Sequence, residues 1–527
     1  MEQTSQSTTG LESSQPIPVE GFEIHGNTQL TAKEIQSTLE SFTKTRLTSS
    51  QLHKAADTLR DTYVRNGLFA AQVIIPTQSV ENGIVMLYVY EGRLAQDGLF
   101  TQNSENRVKN DVIHNILQHN LNPGEVIRTN NIERSMLLVN DLPGISSRST
   151  LYPGSEVGTA NFLLQTSDDP LISGNVDIDN FGGYFSGEAR LGTTVYVNSP
   201  SKMGDQITTR FVTSGSRSNY AFLQYERPVG GNGLYLGASL DYLDYSLGKE
   251  FKQLDAHGNA SEFQLLGHFP LVRSRHTNVH STVRLFNLSL KDNNNTDFTS
   301  ERSIPGVQIR LQGDHDDDMW ASGISYYSVS ITLGNVSIES NDLYQAFDEQ
   351  FSKTKGEYAK FEFSVARLQH IIGGLSGYLN LNGQFANSNL DTSQKFYIGG
   401  PYNVAGYPIG EASGDDGALI YGDLRYDIFN VLWQGNLQLA AFYSEGWTKI
   451  YHDPWVGWQG TNDQIENKII LKSFGFSAHQ TWQDQLLIRL IVGKQVGKNL
   501  GSDPVTSEDS DFSDNEYRVW AQGVYYF

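Results

Sequence analysis

Tyr517-Arg-Val-Trp-Ala-Gln-Gly-Val-Tyr-Tyr-Phe527 closes the chain. Tyr517, Val519 and Ala521 alternate with Arg518, Trp520 and Gln522, and the last residue is aromatic. Alternation of this kind marks a strand with two different faces. A soluble domain has little use for an exposed terminal Phe. A closed membrane barrel does, because its last strand must pair with its first and its aromatic end (Tyr525, Phe527) sits at a lipid–water boundary. An edge strand of a soluble sheet shares the alternation, so the rest of the chain has to decide.

Upstream, the same period of two fills everything from about residue 170. Alternating segments at 171–179, 187–197, 206–214, 220–227, 234–245, 262–270, 277–290, 306–313, 322–333, 358–368, 376–386, 418–427, 437–443, 470–480, 486–492 and 517–527 are split by polar, Gly/Asn/Asp-rich connections. The count is about sixteen, and an even count suits a closed antiparallel barrel. No run of about 18 apolar residues occurs, so a spanning helix is excluded. With 38% hydrophobic residues a barrel is not excluded, since only alternate positions of a spanning strand face lipid. The charge of -21, from 38 Lys+Arg against 59 Asp+Glu, argues against nonspecific nucleic-acid binding. With no cysteine, neither disulfides nor thiol chemistry contribute.

The N-terminal third reads differently. Residues 1–17 are polar and are expected to form a flexible tail or short plug segment. Their opening lacks a basic n-region and an apolar h-region, so a chain without its signal peptide is expected. In 18–92 the order is β-α-α-β-β. Thr31-Ala-Lys-Glu34 predicts a capped helix carrying Ile35 and Leu39; a second helix places Leu52, Ala55, Ala56, Leu59 and Tyr63 on one face and stops at Gly67; strands follow at 71–78 and 84–91. Residues 93–168 repeat that order more weakly, with helices at 108–119 and 130–140, the latter placing Ile132, Met136 and Val139 on one face. Two units of roughly 75 residues form an internal repeat.

One connection breaks the hairpin rhythm, from about 389 to 416. Most of it reads Phe396-Tyr-Ile-Gly-Gly-Pro-Tyr-Asn-Val-Ala-Gly-Tyr-Pro-Ile-Gly-Glu-Ala-Ser-Gly-Asp-Asp416. A connection this long in a compact domain is usually functional, and its glycines permit tight backbone turns. The string resembles the loop-six motif of the TpsB transporters, the outer-membrane partners in two-partner secretion. The two repeats are similar to POTRA domains. Val272-Arg-Ser-Arg-His-Thr-Asn-Val279 and Asp179-Asn-Phe-Gly182 resemble strand signatures of that family.

The resemblance covers nearly the whole chain. It implies a mainly β fold: a 16-stranded antiparallel transmembrane β-barrel (169–527, with lumenal loop six at about 389–416) preceded by two small α+β POTRA domains (18–92 and 93–168). It implies loop-six residues Gly399, Gly400, Val404, Ala405, Gly406, Tyr407, Pro408, Gly410 and Glu411, facing a barrel-wall motif of Phe442, Ser444, Glu445 and Gly446. The family pattern has Arg at the loop tip and Asp on the wall. Here Ala405 and Ser444 stand at those positions, both partners being replaced together. Losing one partner of a buried pair strands a charge, whereas replacing both is close to neutral. The loop is therefore expected to stay inside the barrel on backbone bonds, Tyr407 packing and Glu445.

The family's activity is polypeptide translocation without catalysis or cofactor. It implies a secreted TpsA-type exoprotein (a hemolysin, an adhesin or a contact-dependent inhibition toxin) captured unfolded by the POTRA domains. It also implies outer-membrane lipid and lipopolysaccharide around a monomeric barrel of a Gram-negative bacterium, with the POTRA domains in the periplasm. No Gly-x-x-x-x-Gly-Lys-Ser/Thr string offers a phosphate cradle. A barrel-insertion factor of the same superfamily, an outer-membrane hydrolase and a passive porin are the competing readings. Two repeats argue against the first, the absence of Gly-x-Ser-x-Gly against the second, and the N-terminal 170 or so residues against the third. Asp314–Asp318 reads as a solvated turn, 507–514 as an acidic outer loop, His452-Asp453 as half of a catalytic pair at most, and the histidines at 276, 280 and 479 as facing lumen or interface. Trp455–Trp458 reads as an exposed loop anchor.

Overall fold

The computed structural model describes residues 15–102, 106–295, 299–340, 342–460, 465–503 and 506–527. Most of the expected 1–17 tail lies outside them. Two compact units divide the chain: residues up to Asp169 with Gly230–Asn232, and residues 170–229 with 233–527.

The first unit opens with β1 (Ile17–Val19), β2 (Gly21–His25), α1 (Ala32–Leu39), β3 (Thr45–Leu47), α2 (Ser49–Arg65), β4 (Gln72–Ile74) and β5 (Ile84–Tyr90). Both helices start on a capping box, Thr31 with Glu34 and Thr48 with Gln51, each of which satisfies two otherwise orphaned backbone donors. The α2 face of Leu52, Ala55, Ala56, Leu59 and Tyr63 is buried against Val85, Leu87 and Val89 of β5. β2 runs parallel to β5 and β4 antiparallel to it. β4 is shorter than expected. Pro76 has no N–H to offer a ladder, and beyond it the Gln78 side chain bonds the Met86 backbone at both N–H and carbonyl.

The order then repeats: β6 (Arg93–Gln102), α3 (Asn110–Asn120), α4 (Thr129–Asn140), β7 (Ile145–Pro153) and β8 (Thr159–Asp168), with β6 parallel and β7 antiparallel to β8. The sheet orders β2-β5-β4 and β6-β8-β7 are the same topology. The α4 face is only partly covered. Ser135, Leu138 and Val139 are buried, while Ile132 and Met136 sit half-buried on its flank.

The second unit is a closed antiparallel barrel of sixteen strands. In chain order they are β9 (Ile172–Asp179), β10 (Arg190–Asn198), β11 (Gln206–Thr213), β12 (Ser218–Val229), β13 (Leu234–Ser246), β14 (His257–Arg273), β15 (Thr277–Asn293), β16 (Thr299–Asp317), β17 (Gly323–Ile338), β18 (Gly356–Ile372) and β19 (Leu375–Ala386). After α5 (Asp342–Phe347), which lies between β17 and β18, and a hairpin of β20 (Phe396–Ile398) with β21 (Ala412–Gly414) come β22 (Asp416–Val431), β23 (Gly435–Lys449), β24 (Ile469–Trp482), β25 (Leu486–Gln495) and β26 (Tyr517–Tyr526). Tight connections such as 274–276 and 373–374 gather at one rim and the long ones at the other.

Closure joins β26 to β9, from Gln522 opposite Asp179 to Tyr526 opposite Asn175. Phe527 extends it: its N–H and carbonyl both pair with Gly174, at 3.0 and 2.9 Å, and the Tyr525 ring points outward. The sequence pattern places the strands but not their ends. β16 runs six or more residues past its apolar core at one end, where Thr299, Glu301 and Arg302 carry no alternating hydrophobicity. The expected turn at Asp314–Asp318 is instead largely strand. Asp314 accepts from Asn278, and Asp317 is ion-paired with Arg367.

Candidate functional site in the barrel interior

The sixth connection at the long-loop rim, 387–415, does not project outward. Its stem is the β20–β21 hairpin, and its tip lies on inward-facing residues of the wall. Successive glycines let it fold this tightly. Gly399 and Gly400 have φ near +105°, which L side chains rarely adopt, and a Cβ on Gly399 would lie 2.3 Å from the Pro408 carbonyl. Gly400 N–H donates to the Tyr407 carbonyl and Tyr407 N–H to that of Val404, closing the tip on itself. Gly410, at φ +69°, turns the chain back toward Glu411 and β21.

Val404 and Tyr407 are fully buried with Ile398, Leu419 and Leu471. Ala405 packs with Phe181, Phe442, Ile491 and Trp520. Its carbonyl accepts from Trp520 Nε1 at 2.8 Å, so the final strand holds the loop tip directly. Phe181 stands edge-on to both Trp520 and Tyr402. Two further glycines allow backbone to meet backbone. A Cβ on Gly406 would lie 2.8 Å from Gln495 N, and one on Gly493 would lie 2.5 Å from the Ala405 carbonyl. Trp520 and Gly493 escaped the sequence reading as site residues. The available signal was an indole on the inward-alternating face of the last strand.

On the wall, Phe442, Ser444 and Gly446 point inward. Ser444 Oγ is 3.1 Å from Ser473 Oγ, and both are fully buried. Gly446 leaves room for the Ile398 side chain, which a Cβ there would meet at 3.0 Å. Glu445 is a correction. A strand alternates faces, so the residue between Ser444 and Gly446 points outward. Glu445 there pairs with Lys472 at 3.3 Å and accepts from the Tyr443 hydroxyl at 2.9 Å.

Glu411 fastens the returning stem. Its buried carboxylate accepts from Asn499 Nδ2 and from the Ser510 N–H and hydroxyl. Burial pushes its pKa up, against those hydrogen bonds. The acidic 507–514 segment turns inward to the same place, where Asp509 and Asp511 hold Arg518. His452 also serves the loop: its N–H donates to Asp415 and its Nδ1 lies 3.1 Å from Asp416. Trp455 and Trp458 pack around Tyr451.

A sixteen-strand barrel with a structured connection folded onto its inner wall, following paired β-α-α-β-β units, defines a polypeptide-transport barrel of the outer membrane. Residues 158–455 match the family described as haemolysin secretion/activation protein ShlB/FhaC/HecB, and residues 17–92 match the ShlB-type POTRA domain. The chain belongs to that family of two-partner secretion transporters. A heme/hemopexin transporter protein, HuxB of Haemophilus influenzae strain 86-028NP, is 24% identical over 476 residues, 90% of this chain and 82% of the relative. The solved structure of CdiB from Escherichia coli superposes with a TM-score of 0.74 at 17% identity, covering 100% of this chain and 93% of that one. BamA from Haemophilus ducreyi lacking POTRA domains 1–3 gives 0.57 at 11% identity, covering 97% and 100%.

Proposed function

We propose that the chain secretes one dedicated large exoprotein, and that the 387–415 connection is the plug it must displace. The unit at 93–168 acts as a second POTRA domain, and both face the periplasm. They capture unfolded cargo on open strand edges. The barrel works as a monomer embedded in lipid and lipopolysaccharide, and folding of the cargo outside supplies direction without ATP. One observation carries the reading of the plug. Val404 and Tyr407 are fully buried against inward-facing wall residues and the Ala405 carbonyl is bonded to Trp520, so the tip occupies the barrel interior, with a cavity of about 240 Å³ between Tyr402 and wall residues including Tyr421, Arg425 and Arg489. A seated tip and an extended polypeptide compete for the same interior, so the cargo has to displace the tip. The cargo is of the TpsA type, and an exoprotein that takes up haem or hemopexin is the first to try, given the similarity to HuxB.

The test is co-expression with a candidate large exoprotein of the TpsA type. Deleting residues 15–92 should leave the cargo in the periplasm while the barrel still assembles. Cargo reaching the surface at the normal rate would refute the reading. A general loss of other outer-membrane barrels on deleting the whole chain would point to an insertion factor instead.

A further inference from the structure

Among the described residues, apolar packing and neutral hydrogen bonds hold the tip of the connection, whereas ion pairs hold its root. Asp391 lies at the start of the connection, and its side chain is 3% exposed. One of its oxygens accepts from Ser393 N–H and Oγ. The other accepts from Arg302 Nη1 at 2.6 Å. Arg302 projects inward from β16 and is itself 8% exposed. Its Nη2 reaches Asp292 of β15, which also accepts from the Tyr245 hydroxyl. A second buried pair ties the two stems together: Lys395 Nζ to Asp415 at 2.8 Å, with Asp415 also accepting from Leu390 N–H and His452 N–H.

The two ends differ in what opening costs. At the tip, parting leaves a carbonyl and an indole N–H that water satisfies at once. At the root, separating Arg302 from Asp391 strands the Asp391 carboxylate at a buried position while Arg302 keeps only Asp292, which is strongly unfavourable. We infer that Arg302 is a positioning residue for transport: its ion pair with Asp391 pins the root, so the connection opens as a flap hinged there rather than leaving the barrel whole. This rests on the plug reading above, but its test needs no cargo, so the two fail separately.

The chain has no cysteine, so single cysteines report cleanly. Val404→Cys probes the tip and Leu390→Cys the root, both buried. In purified barrel, maleimide should label Val404→Cys at least tenfold faster than Leu390→Cys. Adding Arg302→Met should raise labelling at the root at least tenfold with heat-modifiability of the barrel unchanged, and Arg302→Lys should restore most of the protection. Equal labelling of tip and root in the parent, or root labelling unmoved by Arg302→Met, would overturn the inference. If Arg302→Met does not assemble, Asp391→Asn, which lies in the connection rather than the wall, takes its place with the same expected and overturning results.

Discussion

The tip and the root of the 387–415 connection are seated on different parts of the barrel wall, β23–β26 and β15–β16, by opposite means. At the tip, glycines 406 and 493 let two backbones touch, Tyr407 fills a pocket, and Trp520 donates one neutral hydrogen bond. At the root, Arg302, Asp391, Lys395 and Asp415 are buried as ions. Neutral packing is strong when seated but leaves nothing stranded when it parts. A buried ion pair adds little net stability, yet it is very costly to break halfway. Ala405 and Ser444, at the positions where the resemblance implies Arg and Asp, thus leave the tip without the charge that pins the root.

The largest effect on this contrast should come from Tyr407→Ala. Deleting a fully buried aromatic ring costs about 3–5 kcal/mol, which corresponds to a hundredfold or greater rise in tip opening. Maleimide labelling of Val404→Cys measures it. Labelling of Leu390→Cys should not follow; a parallel rise at the root would mean that tip and root open together.

Trp520→Phe should have an intermediate effect. The ring still packs on Phe181, but the Ala405 carbonyl loses its donor. An orphaned buried acceptor costs about 1–3 kcal/mol, so tip labelling should rise about tenfold. Single-channel recordings should show more frequent openings of the same size. Unchanged labelling would mean that the carbonyl finds another donor.

A sharper form of the contrast is to return the charges to the tip. Ala405→Arg alone places a guanidinium among Phe442, Ile491 and Trp520, and Ser444→Asp alone sets a carboxylate against Ser473. Each should loosen the tip. Together they should recover at least 1 kcal/mol of coupling in a double-mutant cycle and raise resistance of the loop to protease. A coupling near zero would show that positions 405 and 444 do not meet.

How much of this was readable beforehand follows from distance along the chain. All sixteen strands showed through because lipid imposes alternation on each one locally. Their ends did not, since polar residues such as Glu301 and Arg302 continue β16 beyond the apolar band. The loop string was legible as a contiguous motif, and Gly399, Gly400 and Gly410 do occupy positive-φ turns. Its partners were not. Trp520 meets Ala405 across 115 residues, and Arg302 meets Asp391 across 89, with nothing local to announce either pairing beyond the inward-facing indole. Glu445 was misplaced for the reverse reason: adjacency in a motif suggests a shared role, but neighbours on a strand face opposite ways.

The smallest effect, and the one that tests the link between the two ends, is the response to pH. Burial holds Glu411 above the ordinary carboxylate range, and Asp509 adds to the shift. Burial also raises Asp415, with Lys395 opposing. A group whose folded value is raised binds its proton more readily when docked. Docking should therefore tighten as pH falls from neutral through the docked-state values, and level off below the ordinary carboxylate range where both states are protonated. Glu411→Gln keeps the acceptor for Asn499 and Ser510 but cannot titrate. It should flatten the pH dependence of tip labelling at Val404→Cys while leaving that of root labelling, which follows Asp415, intact. If the tip slope survives Glu411→Gln unchanged, the returning stem does not report to the tip, and the seating of the tip depends on Tyr407 and Trp520 alone.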